Sequence, residues 1–393
     1  MDPREFVEGA GGELTPIVEG GASTWAFVPH PLPREVPLQA SAILLLSRAE
    51  NALGRLQGSV GRMVNPYLIA RPLLRREAIL SSRMEGTRTT AARLVSVEAH
   101  PEGAPDPETQ EVANYVEAMN HGVQLLGEIP VSLRLIRALH EKLLYGVRGG
   151  QETPGQFRRV QNFIGHADIT SARFVPPPAD RLDGLLADLE NYLNLDDTIS
   201  ETPLLVRLAL AHYQFETIHP FRDGNGRVGR LLVPITLLAQ RRITAPTLYL
   251  SGYLESRKKR YIDLMLGVSH TGEFSPWIDF FLDAVRSAAD ESCETAEQLI
   301  TLRDRYHALL HRVRGSALSL KLVDALFELP LTTVARAAEL LDVTQATAGQ
   351  HVNRLIDVGI LVEATGKKRD RQFVAPELLR ALGTDEDTVP SDE

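Results

Sequence analysis

The chain has 393 residues, of which 44% are apolar and 24% charged, a composition typical of soluble globular proteins. Its formal net charge of -9 argues against a surface that binds nucleic acid along its whole length, while a local basic patch stays compatible with it. Cys293 is the only cysteine, which excludes an intrachain disulfide and a cysteine-rich zinc site and favours the cytoplasm. The sequence predicts no signal peptide, no membrane span and no membrane partner.

Residues 1–110 are predicted to form an arm followed by helices. Glycine and proline recur through the first forty residues with little helical period, which favours an extended arm over the surface. Residues 40–56 have the composition of a helix. Pro72 suits the opening turn of a further helix that runs to about Arg83.

Residues 111–290 are predicted to form a mainly α-helical core. Apolar residues spaced near the helical period mark segments 107–126, 132–145, 180–193, 204–217, 227–239 and 255–267. Between the second and third of these segments, Phe174 and Val175 precede three consecutive prolines. This pattern predicts a small β-hairpin or flap on the helical body.

The C-terminal region is predicted to contain a linker helix at residues 291–315 and a winged helix-turn-helix at residues 316–380. Apolar spacing marks two helices separated by a turn at Asp342, and two short apolar runs flank a basic turn at 366–370. Residues 381–393 are acidic and are predicted to be disordered. The expected fold class is therefore mainly α, with a small β-hairpin flap and a C-terminal winged helix.

The strongest local pattern runs from His219 to Arg230, between an apolar helix and an amphipathic one. Pro220 disfavours helical geometry at His219, so the first helix should end there. Gly224 and Gly226 then lie at the N-terminus of the next helix. Free backbone N–H groups and the helix dipole make that position a ready phosphate site.

The charged residues of this segment suit the same ligand. Arg227 and Arg230 are three residues apart, so both can approach one polyphosphate with forked hydrogen bonds. Asp223 offers the hard oxygen that suits a magnesium ion already bound to phosphates. His219, with an ordinary pKa of about 6.5, can accept a proton from an attacking hydroxyl at neutral pH. Taken singly, these residues fit a helix cap, a turn or a solvated ion pair; their combination favours a catalytic site.

At these residues the sequence resembles the Fic family, whose signature H-x-F-x-D/E-G-N-G-R-x-x-R it matches at every fixed position. The resemblance covers roughly residues 15–290. It implies a protein adenylyltransferase that uses ATP as co-substrate, with His219 as the base and Asp223 as the ligand of Mg²⁺. The residues implied to bind the nucleotide are Gly224, Asn225, Gly226, Arg227, Arg230 and, in a similar bordering segment, Tyr253.

Two further segments carry the same resemblance. Phe174 and Val175 are similar to the flap that pins the backbone of the target protein. Residues 81–86 resemble the inhibitory motif S/T-x-x-x-E-G/N, which implies that Glu85 pairs with Arg230. A carboxylate at that arginine would compete with the γ-phosphate and hold ATP in a pose unfit for attack. The plainer alternative is a surface ion pair worth less than about 1 kcal/mol.

Three functions are compatible with the sequence. The first is transfer of AMP to a Ser, Thr or Tyr of an unidentified target protein, with self-modification included. The second is removal of AMP, or transfer of another phosphate-containing group, by the same fold. The third is a DNA-binding regulator that only senses nucleotide, which the presence of His219 and Asp223 disfavours. The large helical surface is also compatible with formation of a homodimer.

DNA binding would use the C-terminal winged segment. Thr344 would cap the recognition helix, and the basic turn would touch phosphates through Lys367, Lys368 and Arg369. That helix is poorly basic, because its polar residues are Gln345, Gln350, His351, Asn353 and Arg354. Packing against a protein partner is therefore an equal alternative.

Overall fold

The computed structural model describes residues 1–61, 63, 65–100, 103, 105–147, 153–165, 168–195, 200–313, 316–365 and 371–381. The predicted tail after Ala381 and the basic turn with Lys367, Lys368 and Arg369 lie outside these residues. The chain forms two compact units. The first comprises Met1–Gly54, Asn114–Ile243 and Leu248–Ala289, and the second comprises Arg55–Ala113, Thr244–Thr247 and Asp290–Glu393.

The described residues are mostly helical, as predicted. In chain order, the helices are α1 Ala40–Val60, α2 Tyr67–Met84, α3 Ala91–Ala99, α4 Pro107–Leu125, α5 Leu133–Leu143, α6 Leu182–Leu193, α7 Leu204–Ile218, α8 Asn225–Ala239, α9 Ser251–Ser256, α10 Lys258–Thr271, α11 Ser275–Arg312, α12 Ala317–Glu328, α13 Val334–Leu341, α14 Gln345–Asp357 and α15 Pro376–Ala381. The strands are β1 Gly12–Glu19, β2 Ala22–Pro29, β3 Leu331–Thr333, β4 Val362–Glu363 and β5 Gln372–Val374. Within the described ranges, no helix has both the length and the apolarity that a bilayer span requires.

The N-terminal arm differs from the prediction, because it folds into an antiparallel hairpin. Strands β1 and β2 pair in register from Gly12 with Pro29 to Glu19 with Ala22. Gly20 and Gly21 form the turn with φ of 60° and 82°, which non-glycine residues rarely adopt. The glycines that suggested an irregular arm therefore include the turn of a hairpin.

The core of the first unit is built around α7 and α8. All residues of α7 except Glu216 are buried. Trp277 of α11 is completely buried and donates its indole N–H to the carbonyl of Ala209, at 2.8 Å. Since α8 is also buried along most of its length, the loop that joins the two helices starts and ends in fixed positions.

Three helix boundaries differ from the predicted ones. Helix α2 begins at Tyr67, so Pro72 lies inside it and not at its opening turn. The segment predicted as one helix near 255–267 is broken at Arg257, between α9 and α10. Helix α11 runs across the predicted boundary at 290/291, because after Pro276 in its first turn it contains no proline or glycine to stop it.

In the second unit, α13 and α14 form a helix-turn-helix pair. Asp342 makes the turn in the left-handed region, with φ of 55°, and the Thr344 side chain caps α14 by accepting the N–H of Thr347. Strands β3, β5 and β4 form an antiparallel sheet in that order. His351, predicted to be available for recognition, is buried and its Nδ1 lies 2.8 Å from Ser319 Oγ. A DNA-reading winged helix stays a prediction for this region.

Candidate active site

His219 lies where α7 ends, as the proline after it predicts. The helix stops at Ile218, and His219 takes a left-handed conformation with φ of 49° and ψ of 60°. Its backbone N–H still bonds the carbonyl of Phe215, at 3.0 Å. Non-glycine residues hold this conformation only where their surroundings impose it, and such residues cluster at functional sites.

The imidazole of His219 is partly exposed, and its Nδ1 lies 3.3 Å from the carbonyl oxygen of Glu216. A carbonyl can only accept a hydrogen bond, so this contact favours the tautomer with the proton on Nδ1. Nε2 then carries the lone pair that a general base needs.

The turn after His219 is closed by Asn225. The Asn225 side chain is 1% exposed, and its amide makes two hydrogen bonds with the backbone of Phe221. Its Oδ1 accepts the Phe221 N–H and its Nδ2 donates to the Phe221 carbonyl, both at 2.8 Å. The Asn225 side chain, predicted to bind nucleotide, is therefore engaged in shaping the loop.

The predicted anion site lies at the N-terminus of α8. Gly224 precedes the helix with φ of 76°, and the first intrahelical bond runs from the Val228 N–H to the Gly224 carbonyl, at 3.0 Å. The N–H groups of Asn225 and Gly226 come before that bond, at the helix end whose first N–H groups point out along the helix axis. Together with the positive end of the helix dipole they favour a phosphate group.

Two buried arginines adjoin this helix end. Arg227 is 1% exposed and Arg230 is 4% exposed, and both belong to the first two turns of α8. The positive charge of Arg230 reaches the buried core behind the loop: burial lowers the pKa of His212 to about 4, and Arg230 acts in the same direction. A polyanion at the helix end would therefore meet a site with a strong positive potential.

Asp223 is the acidic residue of the loop, and its side chain is 43% exposed. Its Oδ1 accepts the N–H of Gly224 at 2.6 Å and lies 3.9 Å from Nη2 of Arg227. Among the residues that the structure describes, no group of three or more His, Cys, Asp or Glu side chains could hold a metal ion. A magnesium ion beside Asp223 would therefore take most of its oxygen ligands from phosphates and water, which suits magnesium.

His140 of α5 supports the same loop and was missed in the sequence. It is completely buried and stacks on Phe221, with 3.7 Å between the ring centroids and 5° between the planes. Its Nδ1 accepts the Gly155 N–H at 2.8 Å, so its Nε2 carries the proton and donates to the Asp223 carbonyl at 3.0 Å. The available signal was a histidine on the apolar stripe of an amphipathic helix.

Arg158 is a second residue that the sequence did not reveal. It is 3% exposed, and its Nε donates to the carbonyl of His219 at 2.9 Å. Its own backbone N–H donates to the carbonyl of Pro220 at 2.8 Å. Arg158 lies in an irregular segment without periodicity, so its role depends on tertiary contacts that no local pattern encodes.

The predicted flap is present, but it is covered. The backbone N–H and C=O of Phe174 both pair with Ile164. On the other edge, the carbonyl of Val175 accepts the N–H of Phe27 from β2, at 2.9 Å. Val175 packs in one buried cluster with Ala26 of β2. Both edges of this short extended segment are therefore engaged within the chain.

Tyr253 and Glu85 complete the predicted set. The Tyr253 hydroxyl donates to Asp283 at 2.7 Å, and its ring faces the guanidinium of Arg257 at 4.1 Å, so the contacts seen for Tyr253 lie outside the His219 loop. Glu85 caps the C-terminus of α2 and is exposed. Glu85 belongs to the second compact unit and Arg230 to the first, and their pairing stays a prediction.

Comparison with known proteins identifies related sequences and folds. The sequence profile described as the Fic/DOC family matches residues 130–237, and that of the Fic/DOC family N-terminal region matches residues 43–124. Proteins named protein adenylyltransferase Fic are similar over 214 residues: that of Drosophila grimshawi is 29% identical and that of Drosophila virilis 30%. The alignments cover 53% of this chain but only 40% of each relative.

A solved structure supports the fold. The Fic family protein from Desulfovibrio desulfuricans G20 superimposes with a TM-score of 0.58 at 20% identity. The superposition covers 88% of this chain and 98% of that protein. At this level of identity the likeness establishes the fold alone.

Replacing Asn225 with alanine should destabilise the chain by about 1–3 kcal/mol, because the buried N–H of Phe221 loses its acceptor. Urea unfolding measures the loss. Asn162→Ala is the matched control: its Nδ2 also donates to the Phe221 carbonyl, at 3.0 Å, but that carbonyl keeps its bond from Asn225. Equal stabilities of Asn225→Ala and the parent chain would contradict the structural role.

The stability of the chain should fall as the pH drops from about 6.5 towards 4. Burial lowers the pKa of His140 from its ordinary 6.5 to about 4, with Arg227 acting in the same direction. Between these pH values the unfolded chain binds a proton at this histidine and the folded chain does not. Each such site therefore lowers the free energy of unfolding by about 1.4 kcal/mol per pH unit. Urea unfolding at several pH values should show a shallower slope for His140→Gln; an unchanged slope would contradict the buried neutral imidazole.

Proposed function

Since this chain belongs to the Fic/DOC family through residues 43–124 and 130–237, we propose that it transfers AMP from ATP to a Ser, Thr or Tyr hydroxyl of a protein. One observation carries the proposal. His219 is held in a left-handed turn immediately before a helix N-terminus that also presents Arg227 and Arg230. A proton acceptor and a polyphosphate site thus occupy one short loop.

The N-terminus of α8 would bind the phosphates of ATP, with Arg227 and Arg230 adding charge-assisted hydrogen bonds. Asp223 would hold a magnesium ion, which supplies charge neutralisation to the phosphates. His219 would take the proton of the target hydroxyl through Nε2 while the hydroxyl oxygen attacks the α-phosphorus. The bond from that phosphorus to the bridging oxygen breaks, and pyrophosphate leaves with its electrons.

We further propose that Glu85 restrains this reaction. Its carboxylate would occupy the fork of Arg230 that the γ-phosphate otherwise binds. ATP would then bind in a pose whose α-phosphorus is misaligned with the incoming hydroxyl, and misalignment of this kind costs rate rather than affinity. Support comes from the motif and from the exposure of Glu85 at the end of α2.

The flap would contact the target protein as an added strand. Backbone hydrogen bonds at a strand edge contribute affinity for an extended segment and do not require a particular amino-acid sequence in the target. In this chain the Val175 edge carries the N–H of Phe27, so an extended target segment would have to replace β2 there. The N-terminal hairpin would then limit access of the target to His219.

Removal of AMP by the same site is the second candidate, because attack of water on the phosphorus of an AMP-modified hydroxyl would use the same proton acceptor, cation and anion site and would release AMP and the free hydroxyl. Self-modification, homodimer formation, a cytoplasmic location and DNA binding through the C-terminal region stay predictions. The burial of His351 removes one polar group from the predicted DNA-reading helix, which weakens that last prediction.

In the first test, purified chain is incubated with α-labelled ATP and magnesium, and label on protein is measured. Glu85→Gly should raise incorporation at least about tenfold, since removing the competing carboxylate frees a charge-assisted contact worth about 1.5–3 kcal/mol. Adding His219→Ala to Glu85→Gly should abolish the label, because the base is lost.

The control for this test is γ-labelled ATP, which should give no protein label if AMP is the group transferred. ATP binding by isothermal titration should survive in the double variant. Bound ATP without any incorporated label in all three chains would contradict AMP transfer and favour the demodifying activity.

A second test concerns the covered flap. Ala26→Asp places a carboxylate in the completely buried contact between β2 and Val175, and it should undock the hairpin. In the Glu85→Gly background, incorporation should then rise severalfold. Val18→Asp, at a residue of the same hairpin that is 71% exposed, is the matched control and should leave incorporation unchanged. Unchanged labelling in a folded Ala26→Asp chain would show that the hairpin does not limit target access.

A further inference from the structure

We propose that Arg158 is a positioning residue that sets the orientation of His219. Its guanidinium and its backbone N–H together fix the main chain on both sides of the proposed catalytic turn. The inference deepens the proposed AMP transfer and rests on it for its kinetic readout.

The side chain of Arg158 reaches three separate stretches of main chain. Its hydrogen bonds go to the carbonyl oxygens of His219 at 2.9 Å, Ile218 at 3.3 Å, Pro177 at 2.6 Å and Val160 at 3.1 Å. Its backbone N–H holds the carbonyl of Pro220, at 2.8 Å. One residue thus fixes the last carbonyl of α7, the turn beyond it and the segment that follows the flap strand.

The charge of Arg158 suits this position. Burial lowers the pKa of the guanidinium to about 10, so it stays protonated at neutral pH. Its described side-chain bonds all end on main-chain carbonyls, and those of Ile218 and His219 lie at the negative end of the α7 dipole. The helix end therefore stabilises the buried cation, and the cation in turn satisfies carbonyls that the helix leaves without partners.

These contacts bear on catalysis through geometry. The direction of the His219 side chain follows from its left-handed backbone, and Arg158 holds the carbonyl of that same residue. The anion site lies beyond the loop, at Gly224 and α8. Loss of the guanidinium fork should therefore misplace the base while leaving ATP binding intact, and a displacement of about 1 Å can cost about 100-fold in rate.

Lysine is the informative replacement, since it keeps the positive charge but cannot present donors in several fixed directions at once. Arg207→Lys is a matched control. Arg207 lies on α7, the helix that ends before His219. Like Arg158 it is 3% exposed, and its Nη1 donates to the carbonyl of Leu195 at 2.8 Å. It precedes His219 by twelve residues, roughly 18 Å along the helix axis.

Both changes are made in the Glu85→Gly chain, and the rate of AMP incorporation is measured against ATP concentration. Arg158→Lys should lower kcat about 100-fold with the KM for ATP changed less than about threefold. Arg207→Lys should leave kcat within about threefold of the parent, even if both variants lose similar thermal stability. If Arg158→Lys does not fold, Arg158→Gln replaces it in the same measurement, because glutamine places no charged ammonium group in the buried site.

A second readout does not depend on activity. In chains with isotope-labelled histidine, the NMR signals of the His219 ring are identified by their loss in His219→Ala. These signals should shift in Arg158→Lys and stay in place in Arg207→Lys. No label in the Glu85→Gly parent would refute the proposed transfer and leave the NMR comparison to decide on Arg158.

The proposal on Arg158 is overturned by any of three results. The first is an unchanged kcat in a folded Arg158→Lys chain. The second is a loss of rate that Arg207→Lys reproduces at equal stability, since this would mean a structural role alone. The third is a His219 ring signal that Arg158→Lys leaves in place.

Discussion

The left-handed turn at His219 is the constraint on which the site depends. Helix α7 is buried almost completely, so the chain must leave the core abruptly and re-enter it within a few residues to begin α8. An L-residue in that conformation is strained, and the strain persists because neighbouring groups hold the main chain on both sides. Arg158 holds the carbonyl before the turn, and Asn225 and His140 hold the carbonyls after it. The hydrogen bonds that close the loop therefore also set the orientation of the His219 imidazole.

The second requirement of the proposed reaction is positive charge beside the His219 loop. Arg227 and Arg230 are buried beside the positive end of a helix, where cations are electrostatically disfavoured. The phosphates of the proposed ATP substrate would bring negative charge to this helix end, where the dipole and the guanidinium groups attract it. The neutral state of His140 and His212 follows from the same potential together with burial, since protonating either would add a further cation.

The sequence predicted the mainly helical fold and the His219 loop because both depend on local rules. A proline after His219, glycines before α8 and a helical apolar period each act within a few residues, and the structure confirms the break at His219 and the start of α8 beside Gly224. Long-range pairing was less accessible. The hairpin β1–β2 was missed because its strands depend on burial against the flap, and the role of Arg158 was missed because its acceptors lie up to sixty-one residues away along the chain. The full length of α11 was missed because a predicted domain boundary was placed inside an unbroken helix.

The position of Glu85 favours a regulatory role over a stabilising one. A carboxylate at the C-terminal end of a helix faces the negative end of the dipole, which costs about 0.3–1 kcal/mol. Arg83 in the last turn of α2 opposes that cost, and Gly86, with φ of 92°, ends the helix without needing an acid before it. The helix dipole and the glycine that ends the helix therefore do not by themselves favour glutamate at this position. In the proposed pairing, the contact of the Glu85 carboxylate with a guanidinium would be worth about 1.5–3 kcal/mol, and a competing partner could reverse it. A contact of this size would slow the proposed reaction about tenfold or more and would still be reversible.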